Sequence, residues 1–155
     1  MKTHVLNIGE VKTENKPATF TCFGLGSCIG LFVQDRAAGI SGGAHILLPE
    51  DERSNAMDDK YYNVREAMNA LLEQFKQRGS KLENLYAKFV GGSVLANGGD
   101  VGERNVRSVI DHLLANQVFI SALDVGGSAN RTVHFNSKTC ELRVCTTDNS
   151  NYKVF

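Results

Sequence analysis

A chain of 155 residues with 17 basic and 17 acidic side chains carries no net charge, and its 42% apolar and 22% charged content is that of an ordinary globular domain. Balanced charge speaks against a protein that grips nucleic acid by neutralising phosphates, and against a polybasic membrane patch. No apolar run approaches the roughly 20 residues needed to cross a bilayer, and Met1–Leu6 runs into Gly9, Glu10 and Lys12 instead of an apolar signal core. The expectation is one domain over residues 1–155, cytoplasmic, with no membrane insertion and no nucleic-acid partner. Cys22, Cys28, Cys140 and Cys145 form no C-x-x-C pair, and His4, His45, His112 and His134 stand at no familiar zinc spacing from them. Neither a disulfide framework nor a metal site is expected.

The elements begin at the glycine-rich stretch Thr21-Cys22-Phe23-Gly24-Leu25-Gly26-Ser27-Cys28. Strands are predicted over Cys28–Gln34 and Ile40–Leu48, split by the turn Asp35–Gly39. The polar, aperiodic segment 48–59 reads as a long surface loop. A helix is predicted over Lys60–Arg78, with Tyr61, Val64, Met68, Leu71, Leu72 and Phe75 on one face, Asp58 or Asp59 as its cap and Gly79 as its stop. Leu85–Val90 reads as a strand ending in Gly91-Gly92. A second helix spans Glu103–Asn116, its apolar face formed by Val106, Val109, Ile110, Leu113 and Leu114. Val118–Val125 is a further strand, ending in Gly126-Gly127. Thr132–Phe135 and Glu141–Thr146 flank a hairpin turn, which sets Cys140 and Cys145 on opposite strand faces. Phe23 and Phe89 read as core, His112 and His134 as surface or structural. Strands and two helices in this order argue for α/β layers.

Chemistry is concentrated at Cys28. Glycines at 24 and 26 permit unusual backbone angles. A cysteine just after such a turn can present its sulfur at a sheet end, with the amides of Gly26, Ser27 and Cys28 aimed at an oxyanion. The following hairpin supplies a base. Pairing Val33 with Ile40 sets Phe32 against Ser41, Leu31 against Gly42, Gly30 against Gly43 and Cys28 against His45. Opposed residues share a face, with Cβ atoms about 4.5–5.5 Å apart. A free thiol of pKa about 8.5 is mostly protonated at neutral pH, and an adjacent imidazole can take that proton.

Gly24-Leu25-Gly26-Ser27-Cys28, with Ala44-His45 and Leu48-Pro49 after it, resembles the CheD family of chemoreceptor glutamine deamidases. The resemblance continues through Ala87-Lys88-Phe89-Val90-Gly91-Gly92, Val101-Gly102-Glu103-Arg104-Asn105-Val106, and Asp124-Val125-Gly126-Gly127 with Arg131 and Val133. It implies a single-domain α/β layered sandwich of mixed β-sheets with flanking helices, similar to the Rho-deamidating toxins. It also implies hydrolysis of receptor glutamines to glutamates without a cofactor, Cys28 as nucleophile, His45 as base, and an interaction with the CheC phosphatase. The family pattern places a threonine, the third catalytic member, where this chain has Cys22. Cys22 is therefore expected near His45, through its thiol, its backbone carbonyl or a water, and Thr21, the alternative third member, is expected to face away. Two other functions compete. One is a non-catalytic CheC-binding regulator of CheY-phosphate dephosphorylation. The other is a different cysteine hydrolase, such as a receptor methylesterase or general amidase.

Overall fold

The computed structural model describes residues 1–53, 59–147 and 149–155. Among these the elements run β1 (Lys2–Val5), β2 (Val11–Glu14), β3 (Ala18–Leu25), β4 (Ile29–Asp35), β5 (Ile40–Ile46), α1 (Val64–Gln77), β6 (Tyr86–Gly91), α2 (Val101–Ala115), β7 (Phe119–Val125), β8 (Arg131–Asn136), β9 (Glu141–Thr146) and β10 (Asn149–Val154), with a 3-10 turn at Leu82–Asn84. They form two five-stranded sheets, ordered β1-β3-β8-β9-β10 and β2-β5-β4-β6-β7. Both are mixed: β1 lies parallel to β3 and β7 parallel to β6, and the remaining pairs are antiparallel.

The second sheet is the middle layer. Every residue of β4 and β5 is buried, which is why these segments lack the polar alternation of a half-exposed strand. Alternation along the strand still sorts the two faces. Ile29, Leu31 and Val33 of β4, with Ile40, Ala44 and Ile46 of β5, pack on Met68, Leu71 and Phe75 of α1 and Val109 and Leu113 of α2. Cys28 and Phe32 point the other way, into a second core with Phe20 and Cys22 of β3 and Val133 and Phe135 of β8. There Phe32 and Phe135 stack with centroids 5.5 Å apart. The order of layers is sheet, sheet, helices.

Several local expectations are corrected. α1 starts at Val64, and its cap is Asn63, whose side chain accepts from Glu66 N at 2.8 Å; such caps contribute about 1 kcal/mol. Residues 61 and 62 cannot join the helix, because Tyr61 N bonds Gly9 O and Tyr62 O receives both Leu47 N and Leu48 N. Asp58 and the loop residues 54–58 lie outside the described residues. Leu114, assigned to the apolar face of α2, is 62% exposed, and Phe23, expected in the core, is 58% exposed. Phe89 is fully buried as expected. Cys140 is not in a strand: it occupies a turn at φ 63°, so the alternation argument does not apply to it.

Gly91 shows how tightly β6 meets the start of β4. Its φ is +120°, and a Cβ added there would overlap the carbonyl oxygen of Cys28. Gly91→Ala should therefore cost about 2 kcal/mol or more in urea unfolding. An unchanged midpoint would show that β6 gives way without cost.

Candidate active site

Only Gly26, Ser27 and Cys28 separate β3 from β4, so the chain crosses from one sheet to the other in three residues. The three carbonyls are all held. Gly26 O accepts from Ser93 N at 2.9 Å and Cys28 O from Gly92 N at 3.0 Å. Ser27 O accepts from Asn105 Nδ2 at 2.8 Å. Among the described residues, the amides of Gly26, Ser27 and Cys28 donate to no protein acceptor. A turn with anchored carbonyls and unpaired amides can stabilise an oxyanion.

His45 reaches the same place from β5. The register differs from that expected by two residues: Gly30, not Cys28, stands opposite His45, and Val33 stands opposite Gly42. The turn Asp35–Gly39 is tighter than assumed, because Asp35 itself pairs with Ile40. A shift of two preserves the face. Cys28 and His45 are thus diagonal neighbours, both facing the first sheet, across a position without a side chain. They line one cleft of about 430 Å³ with Leu6, Asn7, Ile8, Phe23 and Gly24. A larger hollow of about 730 Å³ lies at Met1, Glu14, Lys16 and Lys138 and holds neither cysteine nor histidine.

The imidazole is oriented by backbone. Nδ1 of His45 lies 2.8 Å from the carbonyl oxygen of Leu6. A carbonyl only accepts, so Nδ1 carries the proton and Nε2 of the neutral ring presents its lone pair. Nε2 is buried and has no hydrogen-bond partner among the described residues. Burial pushes the Cys28 thiol up to about 11. Burial also holds His45 below its ordinary value, against the opposing pull of the Leu6 carbonyl and Glu10. The resting pair is a neutral thiol beside a neutral base.

The other candidates separate clearly. Cys22 is fully buried and faces the inter-sheet core beside Cys28, but no hydrogen bond joins it to His45 among the described residues. The ring contact expected of Cys22 is made by Leu6 instead. Thr21 faces away: its hydroxyl lies 2.9 Å from Nδ1 of His134 on the outer surface of the first sheet. Ser27 contributes through its backbone. Among the described residues no three His, Cys, Asp or Glu side chains converge to hold a metal ion.

Sequence reasoning left three supporting groups without a role. Asn105, fully buried in α2, donates to Ser27 O and, at 3.1 Å, to Leu47 O, fastening the 26–28 turn to the residue after β5. Arg131 donates from Nη1 to Ser93 Oγ at 2.9 Å and to Gly91 O at 3.3 Å, bracing the segment that holds Cys28 O. Its Nε lies 3.4 Å from Asp124, an ion pair without hydrogen-bond alignment. Leu6 acts through its carbonyl, which leaves no side-chain signature. Asn105 and Arg131 did stand in the quoted motifs, which was the available signal; polar neighbours such as Glu103, Arg104, Asn130 and Thr132 gave no local pattern that sets them apart.

The buried ring carries a pH signature. The folded state keeps His45 neutral, whereas an unfolded histidine protonates near 6.5. Its contribution to stability is present above pH 6.5 and lost as pH falls through the lower folded value. Urea stability should decline as pH falls below 6.5, and His45→Gln should flatten that decline. An identical slope in the variant would contradict a buried neutral imidazole.

The family model described as CheD chemotactic sensory transduction matches residues 47–146, downstream of both Cys28 and His45. Similarity to individual relatives extends further. The chemoreceptor glutamine deamidase CheD of Thermotoga maritima is 34% identical over 142 residues, covering 90% of this chain and 89% of the relative. The protein of the same name from Halalkalibacterium halodurans is 33% identical over 150 residues, covering 91% of each. Spans of that length leave too few terminal residues to omit positions 28 and 45. The chain belongs to the CheD family.

Proposed function

We propose that this chain deamidates glutamine side chains of bacterial chemoreceptors, with Cys28 as nucleophile and His45 as general base. The observation that carries the reading is the placement of Cys28 and the unpartnered Nε2 of His45 on one sheet face in one cleft, next to a turn with three unpaired amides. Relatives bearing the name chemoreceptor glutamine deamidase supply the substrate class.

The chemistry follows from the tautomer. Nε2 accepts the Cys28 proton as sulfur attacks the glutamine amide carbon, and Nδ1–H stays on Leu6 O throughout. The tetrahedral oxyanion is received by the amides of Gly26, Ser27 and Cys28. Protonated Nε2 then donates to the departing ammonia, leaving a thioester on Cys28. With ammonia gone, Nε2 takes a proton from water, which attacks the thioester; the C–S bond breaks, glutamate is released, and Nε2 returns the proton to the Cys28 sulfur. No step requires a cofactor.

Further elements of the reading come from the motif resemblance. The chain works as one catalytic domain in the cytoplasm, its fold is akin to the Rho-deamidating toxins, and it binds CheC. No described helix is long and apolar enough to cross a membrane. The competing reading, a regulator that only binds CheC, gives no reason for an oriented, unpartnered imidazole beside a thiol.

The test is mass spectrometry of a receptor fragment incubated with the protein. Each converted glutamine should gain about 1 Da and release one ammonia. Cys28→Ala should abolish both signals, and His45→Gln should lower the rate at least about 100-fold. Cys140→Ala and Cys145→Ala should retain activity. Ammonia release by a folded Cys28→Ala protein would overturn the mechanism, and methanol release from a methylated fragment instead of ammonia would make it an esterase.

A further inference from the structure

We propose that Cys22 and Cys28 form a reversible oxidation site, in which a hydroperoxide oxidises Cys28 and Cys22 closes a disulfide that shields it from irreversible damage. The chemical event does not depend on the deamidase reading; only its consequence, loss of the nucleophile, rests on it.

Cys22 is a buried nucleophilic group that the mechanism leaves without work. It neither orients His45, which Leu6 holds, nor makes a side-chain hydrogen bond among the described residues. It points from β3 into the core to which Cys28 belongs. The two strands draw close here because the connection between them is three residues long. Gly30, two residues beyond Cys28 on the same face, lets Cys22 Sγ pack against β4 itself: a Cβ added there would lie 3.3 Å from Cys22 Sγ, with Leu25 Cδ1 at 3.1 Å and Phe32 Cε2 at 3.3 Å. The Cys28 charge also acts on Cys22, second to burial, in raising its thiol. A disulfide needs Cβ atoms about 3.5–4.5 Å apart; position 30 adds no side chain of its own, and Leu25 and Phe32 are the side chains that give way on closure. The other cysteines are placed apart, Cys140 in the β8–β9 turn and Cys145 on β9 opposite Thr132.

Access is one-sided. Cys28 opens on the cleft, whereas Cys22 is wholly enclosed. Oxidant therefore meets Cys28 first. Its proton passes to Nε2 of His45, and the thiolate sulfur attacks one oxygen of the hydroperoxide. The O–O bond breaks, Cys28 becomes a sulfenic acid, and the alcohol or water leaves with the proton from His45. Cys22 then attacks the Cys28 sulfur: the S–S bond forms, the S–O bond breaks, and hydroxide departs with the Cys22 proton as water. In sum, two thiols and one hydroperoxide give one disulfide, one alcohol or water from the hydroperoxide, and one further water. A dithiol reverses the bond by exchange. Burial raises both thiols, so the reaction depends on His45 and not on spontaneous ionisation.

The experiment is convenient because Lys16 precedes Pro17, which leaves both cysteines in one tryptic peptide, Thr13–Arg36. The full chain is treated with hydrogen peroxide, quenched with an alkylating reagent and digested without reduction. That peptide should become about 2 Da lighter and resist alkylation, and dithiothreitol should restore both thiols. Cys140 and Cys145 should remain alkylatable. In Cys22→Thr, and in Cys22→Ala as a second variant checked for folding, Cys28 should pass to the sulfinic acid, a gain of about 32 Da that dithiothreitol does not reverse. His45→Gln should slow the 2 Da loss at least tenfold. Wild-type protein whose Cys28 reaches the sulfinic acid with Cys22 still alkylatable would overturn the proposal, as would a disulfide to Cys140 or Cys145, or no change in the peptide. Because the readout is a peptide mass, it stands or falls independently of ammonia release.

Discussion

β4 is buried along its whole length on both faces, and that constraint places every other layer. One face must be covered by helices, which the apolar stripes of α1 and α2 supply, and the other by the first sheet. A strand so enclosed tolerates a polar or reactive group only where it emerges, and Cys28 precedes its first residue. The companion strand β5 is enclosed in the same way, and His45 lies near its end. The site forms where two buried strands come out of the sandwich together, in a place where packing fixes the backbone and solvent is scarce. The supporting bonds from Asn105, Gly92 and Ser93 fix the turn at that exit, each contributing about 1 kcal/mol net.

Scarcity of solvent has an electrostatic consequence. Burial disfavours both the thiolate and the imidazolium, so the pair rests neutral. In the proposed mechanism such a pair ionises in concert with attack on what enters the cleft, substrate or oxidant. The Leu6 carbonyl makes this workable. It fixes the tautomer before the reaction and accepts a stronger, charge-assisted bond once the ring is protonated. Backbone can thus perform the orienting duty that the family pattern gives to a side chain at position 22. In the proposed mechanism that frees position 22 to carry a thiol, and a buried thiol in the same core as Cys28 has redox chemistry that a hydroxyl lacks.

Much of this was legible in the sequence. The periodic segments containing Met68, Leu71 and Phe75, and Val109 and Leu113, are the helices that cover β4, because a one-sided apolar stripe has few other uses. Cys28 and His45 were legible because a glycine-rich turn and a hairpin together determine which residues share a face. The two-residue error in register came from turn length, which depends on whether Asp35 pairs with Ile40, and parity protected the conclusion from it. Strands β1, β2, β3 and β10 were missed: β1 and β2 have four residues each and β10 is largely polar, so long-range pairing makes them strands, while β3 runs into Gly24 and Gly26 and was read as part of a glycine-rich turn. The α1 cap was misjudged because Gly9 and the 47–48 backbone claim the preceding residues. The role of Leu6 was invisible, since any residue offers a carbonyl.

The central claim is a covalent bond between Cys28 and the substrate acyl group. Acid quenching of the protein during turnover of a glutamine-containing receptor fragment, followed by digestion and mass spectrometry, tests it most directly. The peptide Thr13–Arg36 should carry the fragment on Cys28 with the loss of about 17 Da for ammonia, and the adduct should vanish with hydroxylamine. Continued conversion of glutamine to glutamate with no adduct on that peptide, or with the adduct on another cysteine, would contradict the account.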